Sequence, residues 1–114
     1  MCGIAGWINA NENIYSQKEI IEAMTDKLAP RGPDASGFWC SPHALLGHRR
    51  LIVVDPAGGG QPMIRSRGEN TYVIVYNGEL YNTEELRQEL KSRGHTFLSS
   101  SDTEVLLESF IEWG

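Results

Sequence analysis

Two short segments, GIAGWI at 3–8 and TYVIVYNG at 71–78, present apolar side chains on both faces of an extended chain. A strand of that kind has no face to give to water, so it belongs between layers. Helical patterns supply the covering layers. In SQKEIIEAMTDKLAP (16–30), Ile20, Ile21, Met24 and Leu28 recur at helical spacing, Ser16 and Glu19 form a capping box, and Pro30 is the stop. In NTEELRQELKSRG (82–94), Asn82 and Glu85 make a second box and Gly94 is the C′ residue. SSSDTEVLLESFIEWG (99–114) is a third helix. GFWCS (37–41) and ALLGHRRLIVVD (44–55) read as strands that turn at Ser41 and Pro42, while RGPDASG (31–37) and PAGGGQP (56–62) read as loops. Several strands run consecutively, which favours an α+β layered architecture over simple alternation. At 114 residues and 40% apolar content, one domain is expected.

Charge narrows the partners. Ten basic residues are scattered among fifteen acidic ones, for a net charge of −5, unlike the basic footprint of a nucleic-acid binder. No apolar stretch reaches membrane-span length, and no basic segment followed by an apolar core opens the chain. A cytoplasmic protein without nucleic-acid or membrane partners is expected. In that compartment Cys2 and Cys40 are not expected to form a disulfide, and with His43, His48 and His95 they lack metal-site spacing. Cys40 reads as a packed strand residue.

Cys2 needs its own explanation. It is either a small hydrophobe opening a strand or, once Met1 is removed, a thiol on a residue with a free α-amine. A free thiol titrates at about 8.5 and an α-amine at about 7.7–8.0, so the amine can serve as base to its own thiol. Other residues offer complementary chemistry. Asn77 has a side-chain N–H and Gly78 a backbone N–H for an oxyanion, although Asn-Gly also makes turns. Arg50 matches a carboxylate bidentately, or makes a surface salt bridge. Asp102 can hold an ammonium group, or cap the third helix. Together these are the requirements for cleaving the side-chain amide of a free amino acid.

MCGIAGWIN, RGPDASG, GHRRLIVVD, GGGQPM, YNGELYN and RGHTFLSSSDTEVLLESF follow one another along essentially the whole chain. This order resembles class II glutamine amidotransferases, and within them the N-terminal glutaminase domain of glutamine-hydrolysing asparagine synthetases. The resemblance implies an N-terminal nucleophile αββα four-layer sandwich, here only its N-terminal part. It implies that Cys2 is the nucleophile that forms a glutamyl thioester, with its α-amine as base. Asn77 and Gly78 fall on the oxyanion hole, and Arg50 on the α-carboxylate binder. Glu79 and Asp102 fall where the α-amino end is held, and Leu51, Ile52 and Val53 on the pocket lining.

The sequence departs from the family at Ile52, where serine is common, and in length. The resemblance implies that the rest of the glutaminase domain and an aspartate-activating synthetase domain are absent from these 114 residues. It implies L-glutamine as substrate and no cofactor for the glutaminase part, with ATP and magnesium belonging to the synthetase domain. That domain is the implied partner, and a homo-oligomer is compatible with the pattern. Two alternatives stay open: an amidotransferase serving a sugar, lipid or β-lactam precursor, and a truncated, non-catalytic binding fragment.

Overall fold

The computed structural model describes residues 2–52 and 59–114, and its elements are those of an α+β protein. Strand β1 (Gly3–Ile8) is followed by helix α1 (Lys18–Asp26), β2 (Ala35–Cys40) and β3 (Ala44–Arg50). The second half adds β4 (Met63–Arg67), β5 (Asn70–Ile74), α2 (Thr83–Ser92) and α3 (Asp102–Trp113). The first three strands form an antiparallel sheet in the order β1-β3-β2, and β4 and β5 form a separate antiparallel hairpin. Helix α1 packs on the first sheet, α3 on the hairpin, and α2 on α3. Each sheet therefore has its own helix, as the outer layers of an αββα sandwich require.

The main core lies between α1 and the first sheet. Ile14, Ile21 and Leu45 are buried there, with Ala5, Trp7 and Cys40 packed against them. Burying a side chain such as Ile21 or Leu45 contributes about 1.5–3 kcal/mol. Alternation along β1 then turns Ile4 and Ile8 away from α1, and both remain exposed. On the hairpin, Ile64 is likewise exposed.

The contact between α3 and the hairpin adds charged pairs to an edge-to-face packing of Tyr72 on Phe110. Arg65 donates to Glu104 at 2.9 Å, and Arg67 pairs with Glu108. Two residues along a strand advance about 6.6 Å and four along a helix about 6 Å, so the two spacings stay in register. Both glutamates are fully buried. Glu104 also accepts from the Leu98 and Ser99 backbone N–H groups and the Ser99 hydroxyl. Burial alone would raise its pKa, but these bonds and Arg65 hold it below the ordinary 4.5. One turn on, His95 bridges Glu108 through Nδ1 (2.8 Å) and Glu112 through Nε2 (2.9 Å). Burial opposes its charged form, yet the Glu112 and Glu108 bonds outweigh this and raise its pKa above 6.5.

Several sequence expectations need correction. β4 is a strand where the sequence pattern predicts none. The expected strand at 44–55 ends at Arg50; beyond it the Leu51 N–H turns to the Cys2 sulfur and the Ile52 N–H to the Asp34 carboxylate. Asp55 and the rest of 53–58 lie outside the described residues. The expected strand at 71–78 stops at Ile74. Its last ladder partner is Met63, and the preceding Pro62 has no N–H to continue the pairing. Helix α1 starts at Lys18 with Gln17 as its N-cap, and neither Gln17 nor Asn82 makes a side-chain capping bond. After Asp26, tight turns carry the chain through Gly32, so the helix stops before Pro30. Gly94, at φ +96°, follows the α2 C-cap in the left-handed conformation that glycine tolerates.

Candidate active site

Cys2 stands immediately before β1, whose antiparallel register sets Gly3 opposite Arg49 on β3. Pairing with the central strand brings the start of the chain to the end of β3. There the Leu51 N–H donates to the Cys2 sulfur at 3.3 Å, and the thiol lies 3.7 Å from the Leu51 carbonyl oxygen. Arg50, the residue before Leu51, is buried, with 8% of its surface exposed.

The segment Arg31–Asp34 is fastened to the same strand end. Asp34 N–H donates to the Arg50 carbonyl at 3.0 Å, and the Asp34 carboxylate accepts from Ile52 N–H at 2.7 Å. Arg49 Nε donates to the Gly32 carbonyl at 2.9 Å, and Arg31 Nε to the Cys2 carbonyl at 3.2 Å. Gly32 allows this approach: a Cβ there would lie 2.5 Å from the Arg50 nitrogen and closer still to the Arg49 carbonyl. Leu51 meets the sulfur, Leu51 and Ile52 are exposed, and Val53 lies outside the described residues.

A second group gathers beyond β5. Asn77 is half-buried, and Gly78 and Glu79 are exposed. The Tyr76 ring folds back over Gly78, where a Cβ would come within 2.7 Å of its hydroxyl. Asp102 accepts from the Leu80 N–H at 3.0 Å. It can do so because Ser101, not Asp102, caps α3, accepting from Thr103 N–H. Burial and then the charges of Asp102 and Glu79 raise the Tyr76 pKa above 10.0. Both carboxylates thus act on the Tyr76 hydroxyl, which lies beside Gly78.

Among the described residues no hydrogen bond joins Cys2 directly to Asn77, Gly78, Glu79 or Asp102. The two groups are linked through residues that sequence reasoning did not assign to the site. His48, 1% exposed, lies 3.2 Å through Nε2 from the Tyr76 carbonyl. The carbonyl can only accept, so Nε2 carries the proton. Burial holds the His48 pKa below 6.5; the Tyr76 bond opposes this and the Arg50 charge adds to it. Gln61 Oε1 accepts from Tyr76 N–H at 2.6 Å, and its Nε2 donates to the Thr103 hydroxyl at 3.2 Å. The available signal for His48 was its position two residues before Arg50, on the same strand face. Arg31 and Asp34 were within reach through the RGPD motif.

The family model described as "Glutamine amidotransferase domain" matches residues 1–114. Asparagine synthetase [glutamine-hydrolyzing] 3 of Bacillus subtilis is 55% identical over 113 residues, covering 99% of this chain and 18% of that protein. Asparagine synthetase [glutamine-hydrolyzing] 1 of the same organism is 43% identical over 112 residues, 96% of this chain and 17% of that protein. The protein named asparagine synthetase [glutamine-hydrolyzing] 1 in Arabidopsis thaliana is 38% identical over the full 114 residues, 19% of its own length. The chain thus spans less than a fifth of these curated relatives.

Proposed function

Because this chain belongs to the glutamine amidotransferase family, we propose that it carries the glutaminase chemistry of an asparagine synthetase. Glutamine and water become glutamate and ammonia, and the ammonia is delivered to a synthetase partner that makes asparagine from aspartate. The observation that carries this reading is the meeting of Cys2 with Leu51, the residue that follows the buried Arg50. Cys2 and Arg50, the residues this reading makes nucleophile and carboxylate clamp, both come to the end of β3.

In this reading Met1 is removed and the Cys2 α-amine takes the thiol proton. The sulfur attacks the glutamine side-chain carbonyl while Arg50 grips the α-carboxylate and Glu79 and Asp102 hold the α-ammonium. Charge developing on the carbonyl oxygen meets the Asn77 side-chain N–H and the Gly78 backbone N–H. The tetrahedral species expels ammonia, which leaves with the proton held by the amine, and water hydrolyses the thioester to glutamate. Leu51 and Ile52 line the pocket. These steps need neither metal nor cofactor; ATP and magnesium belong with the aspartate-activating partner. A cytoplasmic setting suits this chemistry, and no described helix is long and apolar enough to cross a membrane.

The test is intact-mass analysis with a glutaminase assay. Active protein should lack Met1, and Cys2→Ala should abolish glutamine hydrolysis while leaving any ammonia-dependent synthesis by the assembled enzyme. Full activity in protein that retains Met1 would overturn the assignment of the base.

A further inference from the structure

The Tyr76 peptide is held at both ends. Its N–H is taken by the Gln61 side chain and its carbonyl by His48, each through a side chain rooted in a different part of the fold. His48 sits on β3 with Ile4 opposite on one side and Gly37 on the other. Ile4 is two residues from Cys2, so the register that fixes the sulfur also fixes His48. Gln61 is tied to the same sheet by close packing, since a Cβ at Gly37 would lie 2.5 Å from the Gln61 carbonyl oxygen. Its side chain also reaches Thr103, adjacent to Asp102. The contacts run from Cys2 through β1 and β3 to His48, then to Tyr76, and back through Gln61 to β2 and α3.

We propose that His48 and Gln61 are positioning residues that clamp the Tyr76 peptide and thereby aim Asn77 and Gly78 at the site served by Cys2. The proposal rests on the glutaminase reading, in which Asn77 and Gly78 receive the oxyanion. Neither clamp residue need touch glutamine. Asn77 follows the clamped carbonyl by one bond, and an oxyanion donor acts only when aimed at where charge develops. A displaced donor loses transition-state stabilisation while ground-state binding through Arg50 persists.

The experiment compares His48→Leu, His48→Gln and Gln61→Met with the unaltered protein. Three readouts are followed: glutamine hydrolysis, iodoacetamide alkylation of Cys2, and amide hydrogen exchange across residues 75–80. His48→Leu and Gln61→Met should each lower kcat about 10-fold or more, short of the 10²–10³ expected for losing a donor outright, with KM within about 3-fold. His48→Gln restores an N–H near Nε2 and should recover most of kcat. Alkylation of Cys2 should stay within about 2-fold, because the nucleophile is not touched. Exchange at 75–80 should rise in the His48→Leu and Gln61→Met proteins while β1 and β3 stay protected. Gln61 is the less buried of the two, so its variant decides the matter if His48→Leu does not fold. Unchanged exchange, or equal loss of kcat and alkylation, overturns the clamp. An unaltered protein that leaves glutamine intact overturns the glutaminase reading and the catalytic half of the proposal, while exchange still decides the clamp itself.

Discussion

Replacing Gly32 by alanine should loosen the whole strand end that carries Cys2 and Arg50. The new methyl would lie 2.5 Å from the Arg50 nitrogen and nearer to the Arg49 carbonyl group. Ordinary contact begins near 3.4 Å, so about 1 Å of movement is needed. β3 cannot supply it, because it is the central strand, hydrogen-bonded to β1 and β2 at once. The loop must retreat instead, straining four bonds: Asp34 to Arg50, Ile52 to Asp34, Arg49 to Gly32 and Arg31 to Cys2. Overpacking alone costs about 1–3 kcal/mol. Loss of one or two of these bonds adds about 0.5–1.5 kcal/mol each. The ranges sum to about 1.5–6 kcal/mol, and a mid-range cost of about 2–4 kcal/mol is a large share of the roughly 5–15 kcal/mol stability typical of a domain. Urea titration followed by tryptophan fluorescence measures it, and the midpoint should fall by about 1–2 M. Gly60→Ala is the control: nothing lies within 4 Å of its added methyl, so its effect should stay within about 0.5 kcal/mol. A Gly32→Ala midpoint equal to that of Gly60→Ala would refute the steric argument.

Asn77→Ala should lower kcat by about 10²–10³ with little change in KM, whereas Arg50→Ala should chiefly raise KM; steady-state glutaminase kinetics separate them, and identical patterns would disprove the assigned roles. His95 has a raised folded pKa, so its pairing with Glu108 and Glu112 contributes stability that is complete below the unfolded value near 6.5 and is lost as pH rises through the folded value. Urea midpoints should therefore fall as pH rises above about 6.5, and less steeply in His95→Gln. Glu104 has the opposite sign: its folded pKa is depressed, so its contribution is present above the unfolded value near 4.5 and disappears as pH falls through the folded one. Glu104→Gln should flatten the acid limb of the stability curve.

What the sequence disclosed about the fold was local. β1, the turn at Ser41–Pro42 and the glycine after α2 follow from apolar pattern or backbone preference within a few residues. β4 escaped because MIRSR points arginines inward, and they are acceptable there only through Glu104 and Glu108, 39 and 41 residues away. The strand ends at Arg50 and Ile74 were overrun for a related reason. Backbone groups just beyond them are satisfied by side chains from elsewhere, namely Cys2 and Asp34 in one case and Gln61 and His48 in the other. No propensity encodes a bond to a residue tens of positions away. At the candidate site the motifs singled out Cys2, Arg50, Asn77, Gly78, Glu79 and Asp102, but not what holds them. Asp102 illustrates the difference: its helix-start position was legible, but not that Ser101 would cap and leave its carboxylate to Leu80.

The matched spacing of Arg65 and Arg67 against Glu104 and Glu108 also constrains how this surface can change over generations. A single replacement of Arg65 by an apolar residue would take the counter-charge from the fully buried Glu104 carboxylate, a step that costs about 3–5 kcal/mol for a buried pair, less whatever its bonds to Leu98 and Ser99 retain. Replacing both partners by packed apolar residues is often neutral or better. The starting and final states can thus be similarly fit while the intermediate is not, and the two positions should drift together or remain frozen. Insertion of one residue between Glu104 and Glu108 is worse, because it rotates the second glutamate by about 100° off the strand. Lineages descending from this chain should therefore vary the length of their loops and keep the count of residues between these charges fixed.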